Sequence, residues 1–178
     1  VSKLPSIYLS EVINITNQIQ DSADRVMVLT ELAKRSFKPW PEVLEITRQI
    51  KDEYSQAEAL STMAQHLPEQ LWPEVLEITQ QIKDEYSQAR ALIPMAQHLP
   101  KLLPKALEIT RQIKHEDSRA KALITMARHL PELWPETLET IQKIEYEYPL
   151  LTTLSEMAQH LPEQFWPEVL KITQQVEY

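Results

Sequence analysis

The chain contains no glycine. Loops that cradle phosphates need glycine so that the backbone can approach the phosphate oxygens. The strained turn that presents a hydrolase nucleophile is normally built with glycine too. Sites of these kinds are excluded in their usual form. There is also no cysteine. That removes disulfides, thiolate catalysis, iron–sulfur clusters and cysteine-ligated zinc, and it suits a cytoplasmic protein. No apolar run approaches the roughly 18 residues of a membrane span, so no membrane partner is expected. The opening residues, Val1-Ser2-Lys3-Leu4-Pro5, lack the hydrophobic core of a signal segment. They also lack an initiating methionine, as an excised piece of a larger protein would. Basic excess is missing as well: the net charge is −8 and the pI is near 5.2. Phosphate neutralisation supplies much of nucleic-acid affinity, so this charge argues against a nucleic-acid partner.

What is present is a repeat. Residues 40–71 read WPEVLEITRQIKDEYSQAEALSTMAQHLPEQL, and residues 72–103 match them at 26 of 32 positions. The unit returns at 104 and at 134, and a half unit, WPEVLKITQQVEY, ends the sequence. Pro41, Pro73, Pro104, Pro135 and Pro167 are spaced 32, 31, 31 and 32 apart. A degenerate unit precedes them, with Glu11 aligned to Glu42 and Leu29 to Leu60. The units run at about 7–39, 40–71, 72–102, 103–133 and 134–165, with a half unit at 166–178, in one helical-repeat domain. A fixed period in the range of roughly 20–50 residues, with two helices per unit, predicts an all-α solenoid of about five antiparallel helix pairs plus a C-terminal helix.

Each unit predicts a helix A and a helix B. The repeated proline suits the first helical position, where its missing N–H is not needed. Glu42 and Glu74 complement the positive helix end, and Leu71 and Leu76 have the spacing of a hydrophobic staple. Val43, Ile46 and Ile50 share one face of helix A, widened by Leu44 and Thr47. A turn follows near Lys51-Asp52-Glu53, with Asp52 and Asp84 as expected N-caps of helix B. Helix B carries Ala57, Leu60, Met63, Ala64 and Leu67 at helical spacing. It ends at His66-Leu67-Pro68, because a residue before proline disfavours the helical region. Helices this short are marginal alone, so stability must come from stacking. The first unit and the half unit are expected to be caps.

With Trp40, Val43, Leu60 and Pro68 at these spacings, the unit resembles the tetratricopeptide-type helical repeat, over roughly residues 10–178. HEAT-like repeats are the neighbouring option. The period is shorter than the family's roughly 34 residues. Leu44 stands where that family has a glycine in helix A, and Thr47 where it has a tyrosine. The resemblance implies a right-handed solenoid that binds a peptide or partner protein on the concave helix A face.

Several recurring residues have both a functional and a plain reading. His66, His98, His129 and His160 share one repeat position. Stacked helices lie about 8–10 Å apart, whereas zinc needs ligand atoms at roughly 2.0–2.1 Å, so a histidine at the negative helix end is the better account. Trp40, Trp72, Trp134 and Trp166 could anchor a partner, but Leu103 in the third unit argues for apolar filling. Met63, Met95, Met126 and Met157 lie on the apolar stripe and read as core. The cluster His115-Glu116-Asp117-Ser118 has triad residue types, but adjacent residues on a helix point different ways.

The sharper candidate is the polar face of helix A. Gln18, Gln49, Gln81, Gln112, Lys143 and Gln175 form one row by alignment, and Glu45, Glu77, Glu108 and Glu139 another. Arg48 and Arg111 alternate with Gln80 and Gln142. Amides carry donors and acceptors suited to an extended peptide backbone. The plain alternative is a solvated face of helical side-chain pairs. A secondary candidate patch is Ile93 with Ile124, which stand where other units have Ser61 and Ser155. Pro94 falls inside helix B, where proline removes a hydrogen bond. These observations predict a non-catalytic protein-interaction scaffold without cofactor or metal. The alternatives are a structural spacer or engineered repeat array, and then a nucleic-acid-binding helical repeat.

Overall fold

A computed structural model describes residues 11, 14–16, 18–33 and 40–174. The unit expected at 7–39 and the half unit at 166–178 lie partly outside the described residues. Gln175 and the opening Val1-Ser2-Lys3-Leu4-Pro5 lie wholly outside them. The described chain is helical throughout, with no strand among the described residues. It divides into two compact units, Val1–Leu103 and Pro104–Tyr178.

In the first unit, α1 spans Ser22–Ala33, α2 Trp40–Gln49, α3 Glu53–Ala64, α4 Trp72–Gln81 and α5 Glu85–His98. The helix α1 packs on α2 and α3, and α3 packs along α5. The core is the predicted stripe. Val43, Leu44, Ala57, Leu60 and Met63 are fully buried, and so are Val75, Ile78 and Met95 of the next pair. In the second unit, α6 spans Leu103–Gln112, its first residue closing the unit before. It is followed by α7 at Glu116–Ala127, α8 at Trp134–Ile141, α9 at Glu147–Ala158 and α10 at Trp166–Gln174. Here α7 packs on α8 and on α9, over Leu123, Ile124, Trp134, Ile141 and Met157.

The start of helix A differs from the expectation by one residue. Leu71 is the N-cap of α4, so Trp72 opens the helix and Pro73 is second. The cause is a 3-10 turn at Glu69–Leu71 that runs straight into the helix, with the Trp72 N–H donating to the Glu69 carbonyl. Proline is tolerated there because the first four helical N–H groups have no partner within the helix. Leu71 and Leu76 consequently miss the staple register, and both stay half-buried.

The period of 31 or 32 residues is set in this same turn. After α3 and α9, Pro68 and Pro162 are extended residues that precede the 3-10 turn. From His98 to Leu103 and from His129 to Trp134 the chain is one residue shorter than from His66 to Trp72, and Pro100 and Pro131 become the first residues of the turn. Leu99 and Leu130 before them take φ near −125°, at −123° and −127°, as a residue preceding proline tends to. Proline's fixed φ fits both arrangements, so one deletion is absorbed without loss of the helix start.

Helix B begins at a carboxylate cap in the early repeats. Asp52 accepts from the Ser55 N–H at 2.7 Å, and Asp84 from the Ser87 N–H at 2.7 Å. Asp21 plays the same part for α1, accepting from the Asp24 N–H at 3.0 Å. His115 replaces the aspartate in the repeat at 103–133, and the repeat at 134–165 lacks both partners: Tyr146 occupies the cap without a side-chain bond, and Pro149 replaces the serine. Proline has no N–H to give, so a carboxylate at 146 would find its usual donor missing.

Between the two helices of a pair, a long side chain from helix B donates to a carbonyl near the end of helix A. Gln56 donates to the Thr47 carbonyl at 2.9 Å, Gln88 to the Thr79 carbonyl at 3.2 Å, and Arg119 to the Ile113 carbonyl at 3.1 Å. In the fourth unit Leu150 stands at this position. There α8 is only 8 residues long and closes by short-range bonds, from the Lys143 N–H to Thr140 and the Ile144 N–H to Ile141. Helix α5 passes through Pro94 and runs 14 residues; nothing in the structure explains the proline.

Replacing Asp84 by alanine should cost about 1 kcal/mol in urea-monitored unfolding, the usual value of an N-cap. Tyr146→Asp should give little of that back by itself. Tyr146→Asp combined with Pro149→Ser should stabilise by about 1 kcal/mol. Equal gains from the single and double variants would show that the missing N–H does not matter.

Candidate functional site: the polar face of helix A

The candidate row is exposed as expected, but its charged members are tied to one another. In the first unit Glu45, Arg48 and Gln49 lie on α2, and Glu77, Gln80 and Gln81 on α4, all exposed. Arg48 gathers three carboxylates: Glu74 at 3.2 Å, Glu77 at 3.5 Å and Glu45 at 3.9 Å. It thereby bridges α2 to the next helix A. Gln49 donates to Glu45 at 3.0 Å.

In the second unit Glu108, Arg111 and Gln112 lie on α6. Arg111 reaches Glu136 of α8 through Nε and Nη2, each at 2.7 Å. The rigid guanidinium fork matches the carboxylate with two parallel bonds. This contact holds Glu136 below the usual carboxylate range, first through the hydrogen bond from Arg111 and against some desolvation, and it raises Arg111. Glu108 accepts from Lys105 at 3.1 Å, and Glu139 from Lys143 at 2.8 Å. Gln142 and Lys143 fall just beyond α8, which ends at Ile141, so they belong to a turn and not to the helix face.

The amides remain. Gln80, Gln81, Gln112 and Gln142 are exposed, and none makes a side-chain hydrogen bond among the described residues. The repeated arginine position therefore alternates between an interhelical clamp (Arg48, Arg111) and an open amide (Gln80, Gln142). Sequence reasoning had all of these residues in one row but missed the clamp. Its signal was the glutamate after each Trp-Pro, at 74 and 136.

Ile93 and Ile124, the secondary patch, are corrected. They are only 5% and 0% exposed, because their flank of helix B is packed, so they offer no surface to a partner. Trp40, Trp72 and Trp134 are buried, whereas Trp166 is 39% exposed. The four repeated methionines are buried as core. Met95 and Met126 also lie near the hydroxyls of Thr79 and Thr110, at 3.9 and 3.7 Å. His66, His98, His129 and His160 are exposed, and His98 lies 6.1 Å from the Trp72 ring, centre to centre. No group of three potential metal-binding residues converges among the described residues. Glu116 and Asp117 of the triad-like cluster pair instead with Arg119 at 3.8 Å and Lys121 at 4.0 Å.

A further contact had no expectation behind it. Glu53, the first residue of α3, accepts from the backbone N–H groups of Lys83 and Asp84 at 3.1 and 2.7 Å. In Lys51-Asp52-Glu53, Asp52 caps its own helix and Glu53 holds the loop of the next pair. Arg90 reinforces this junction, 4.9 Å above the Tyr54 ring and 3.4 Å from Glu58.

Compared with family models, with curated proteins and with solved structures, the chain matches none.

Glu136→Gln should destabilise the protein by about 0.5–1 kcal/mol, because the pair is half open to water and screened. Glu136 has a lowered pKa in the fold, so its contribution is complete above its unfolded pKa, near 4.3. The contribution is lost as pH falls through the lower folded value. Urea midpoints of wild type and variant should therefore converge below about pH 4. A gap that persists at low pH would mean that the charge is not what the site uses.

Proposed function

We propose that the chain is a non-catalytic protein-interaction scaffold. Its helix pairs stack as a right-handed α-solenoid similar to tetratricopeptide-type or HEAT-like arrays. The helix A faces form the concave surface that takes a peptide or a partner protein. The period of 31 or 32 residues supports this reading, as does the buried Leu-Met-Ala stripe, which recurs in both compact units.

The observation that carries the proposal is the set of open amides. Gln80, Gln81, Gln112 and Gln142 are exposed and have no internal use, beside arginines that are fully engaged. An amide offers both donors and an acceptor, and so can pair with the N–H and C=O of an extended backbone. The clamps at Arg48 and Arg111 hold successive A helices in place and leave recognition to the amides.

Changing Gln80, Gln81, Gln112 and Gln142 together to alanine should leave unfolding free energy within about 0.5 kcal/mol per site, as for surface positions generally. It should abolish binding of any partner that the wild type captures, measured by affinity capture and then by calorimetry on the purified pair. Undiminished binding by the variant would remove the helix A face from the site. Capture of nothing by the wild type would favour a spacer.

A further inference from the structure

The clamp between successive A helices is missing once within the second unit. Arg48, eight residues after the start of α2, reaches Glu74, two residues after the start of α4, at 3.2 Å. Arg111 and Glu136 hold the same positions in α6 and α8 and are joined by two bonds of 2.7 Å. For α8 and α10 the corresponding residues are Gln142 and Glu168. Glutamine is shorter than arginine and carries no charge. The Glu168 carboxylate is left with no ion pair and no side-chain hydrogen bond among the described residues.

A cleft of about 300 Å³ lies at this place, with Gln142, Glu168, Glu139, Pro135 and Phe165 in its lining. All five reach the surface: Pro135, Glu139 and Gln142 are exposed, and Glu168 and Phe165 are half-buried. Glu139 is already taken by Lys143 at 2.8 Å. Lys171 stands where Glu77 gives Arg48 a further carboxylate. One free carboxylate therefore remains, and one is all that Arg111 uses at Glu136. The same two positions one unit earlier hold a guanidinium between them, so the repeat itself supplies the ligand that this cleft lacks.

We infer that this cleft binds an arginine side chain of a partner peptide, which completes the clamp from outside. The inference rests on the reading of the helix A face as a peptide-binding surface and adds the residue that the peptide must carry. The guanidinium fork places two parallel N–H groups on Glu168, as Arg111 does on Glu136. A further N–H of the fork donates to the Gln142 side-chain oxygen, which has no internal use. The guanidinium plane stacks on the half-buried Phe165 ring. Lysine has a compact ammonium in place of the planar fork and meets only part of this set.

The test uses the whole chain at low salt, where surface charge is least screened, with nuclear magnetic resonance as the readout. The probe is an acetylated and amidated Ala-Arg-Ala peptide. It should shift the Gln142 side-chain amide and the Phe165 ring signals in a saturable way. The same peptide with citrulline, which keeps the shape without the charge, should bind about tenfold or more weakly. Glu168→Gln should abolish the shifts, with signals elsewhere unchanged. Gln142→Arg should restore the internal clamp, raise the urea midpoint and exclude the peptide. Absence of shifts in the wild type overturns the proposal, and so does equal binding of the citrulline peptide or undiminished binding by Glu168→Gln. Equal binding of the lysine peptide overturns the role of the fork. Binding of methylguanidinium as tight as that of the peptide assigns the cleft to a small cation and overturns the peptide. Glu168→Gln keeps all four open amides, so a partner still captured by this variant while the arginine peptide fails to bind removes the arginine site and leaves the amide face standing.

Discussion

The longest helix described here has 14 residues and the shortest 8. Helices of that length do not hold together in water by hydrogen bonding alone, because the cost of nucleation is spread over too few turns. Everything else in the structure follows from giving each of them a surface to pack on. Alanines at 57, 89 and 120 are fully buried, and their small size lets neighbouring helices approach. Leucines and methionines at fixed spacing then fill what remains. The methionine that recurs in α3, α5, α7 and α9 suits this role, because its flexible thioether adapts to small differences between units.

Polar groups caught in this packing are handled locally. Thr47, Thr79 and Thr110 are buried on helix A, and each donates its hydroxyl to the carbonyl four residues back. Carbonyls near the end of helix A receive a second donor from a long side chain of helix B. Arg119, at the position of Gln56 and Gln88, donates instead to the Ile113 carbonyl, three residues past Thr110, so a donor persists while its acceptor shifts. The repeat at 134–165 has none of these parts: cap, serine donor and carbonyl-binding side chain are Tyr146, Pro149 and Leu150 there. Its helix B starts with two exposed aromatic side chains, Tyr146 at 74% in the place of the cap and Tyr148 at 79%.

Much of this was legible beforehand, for a physical reason. Where burial repeats with the helical period, the sequence carries the pattern directly, and every stripe residue named for helices A and B of the first strong repeat is buried. The aspartate caps were legible too, because a cap is a local bond spanning three residues. What could not be read were contacts between residues about 25 to 31 positions apart, such as Arg111 with Glu136 and Glu53 with the Lys83 and Asp84 amides. Spacing places such residues in neighbouring units, but only packing angles decide which of several glutamates an arginine reaches. Ile93 and Ile124 failed for the same reason. A position on the flank of a helix is exposed or buried according to the tilt of its neighbour, which periodicity does not contain.

The amino-acid sequence by itself determined the helices, their apolar faces, their caps and the unit length, since these depend on interactions within a few turns of chain. The tertiary structure decided which polar side chains are consumed and which remain open. It turned the row of Arg48, Gln80, Arg111 and Gln142 into alternating clamps and free amides. It also buried Ile93 and Ile124 on flanks that periodicity leaves undecided. Both outcomes depend on distances between separate helices, and those are fixed only when the helices pack.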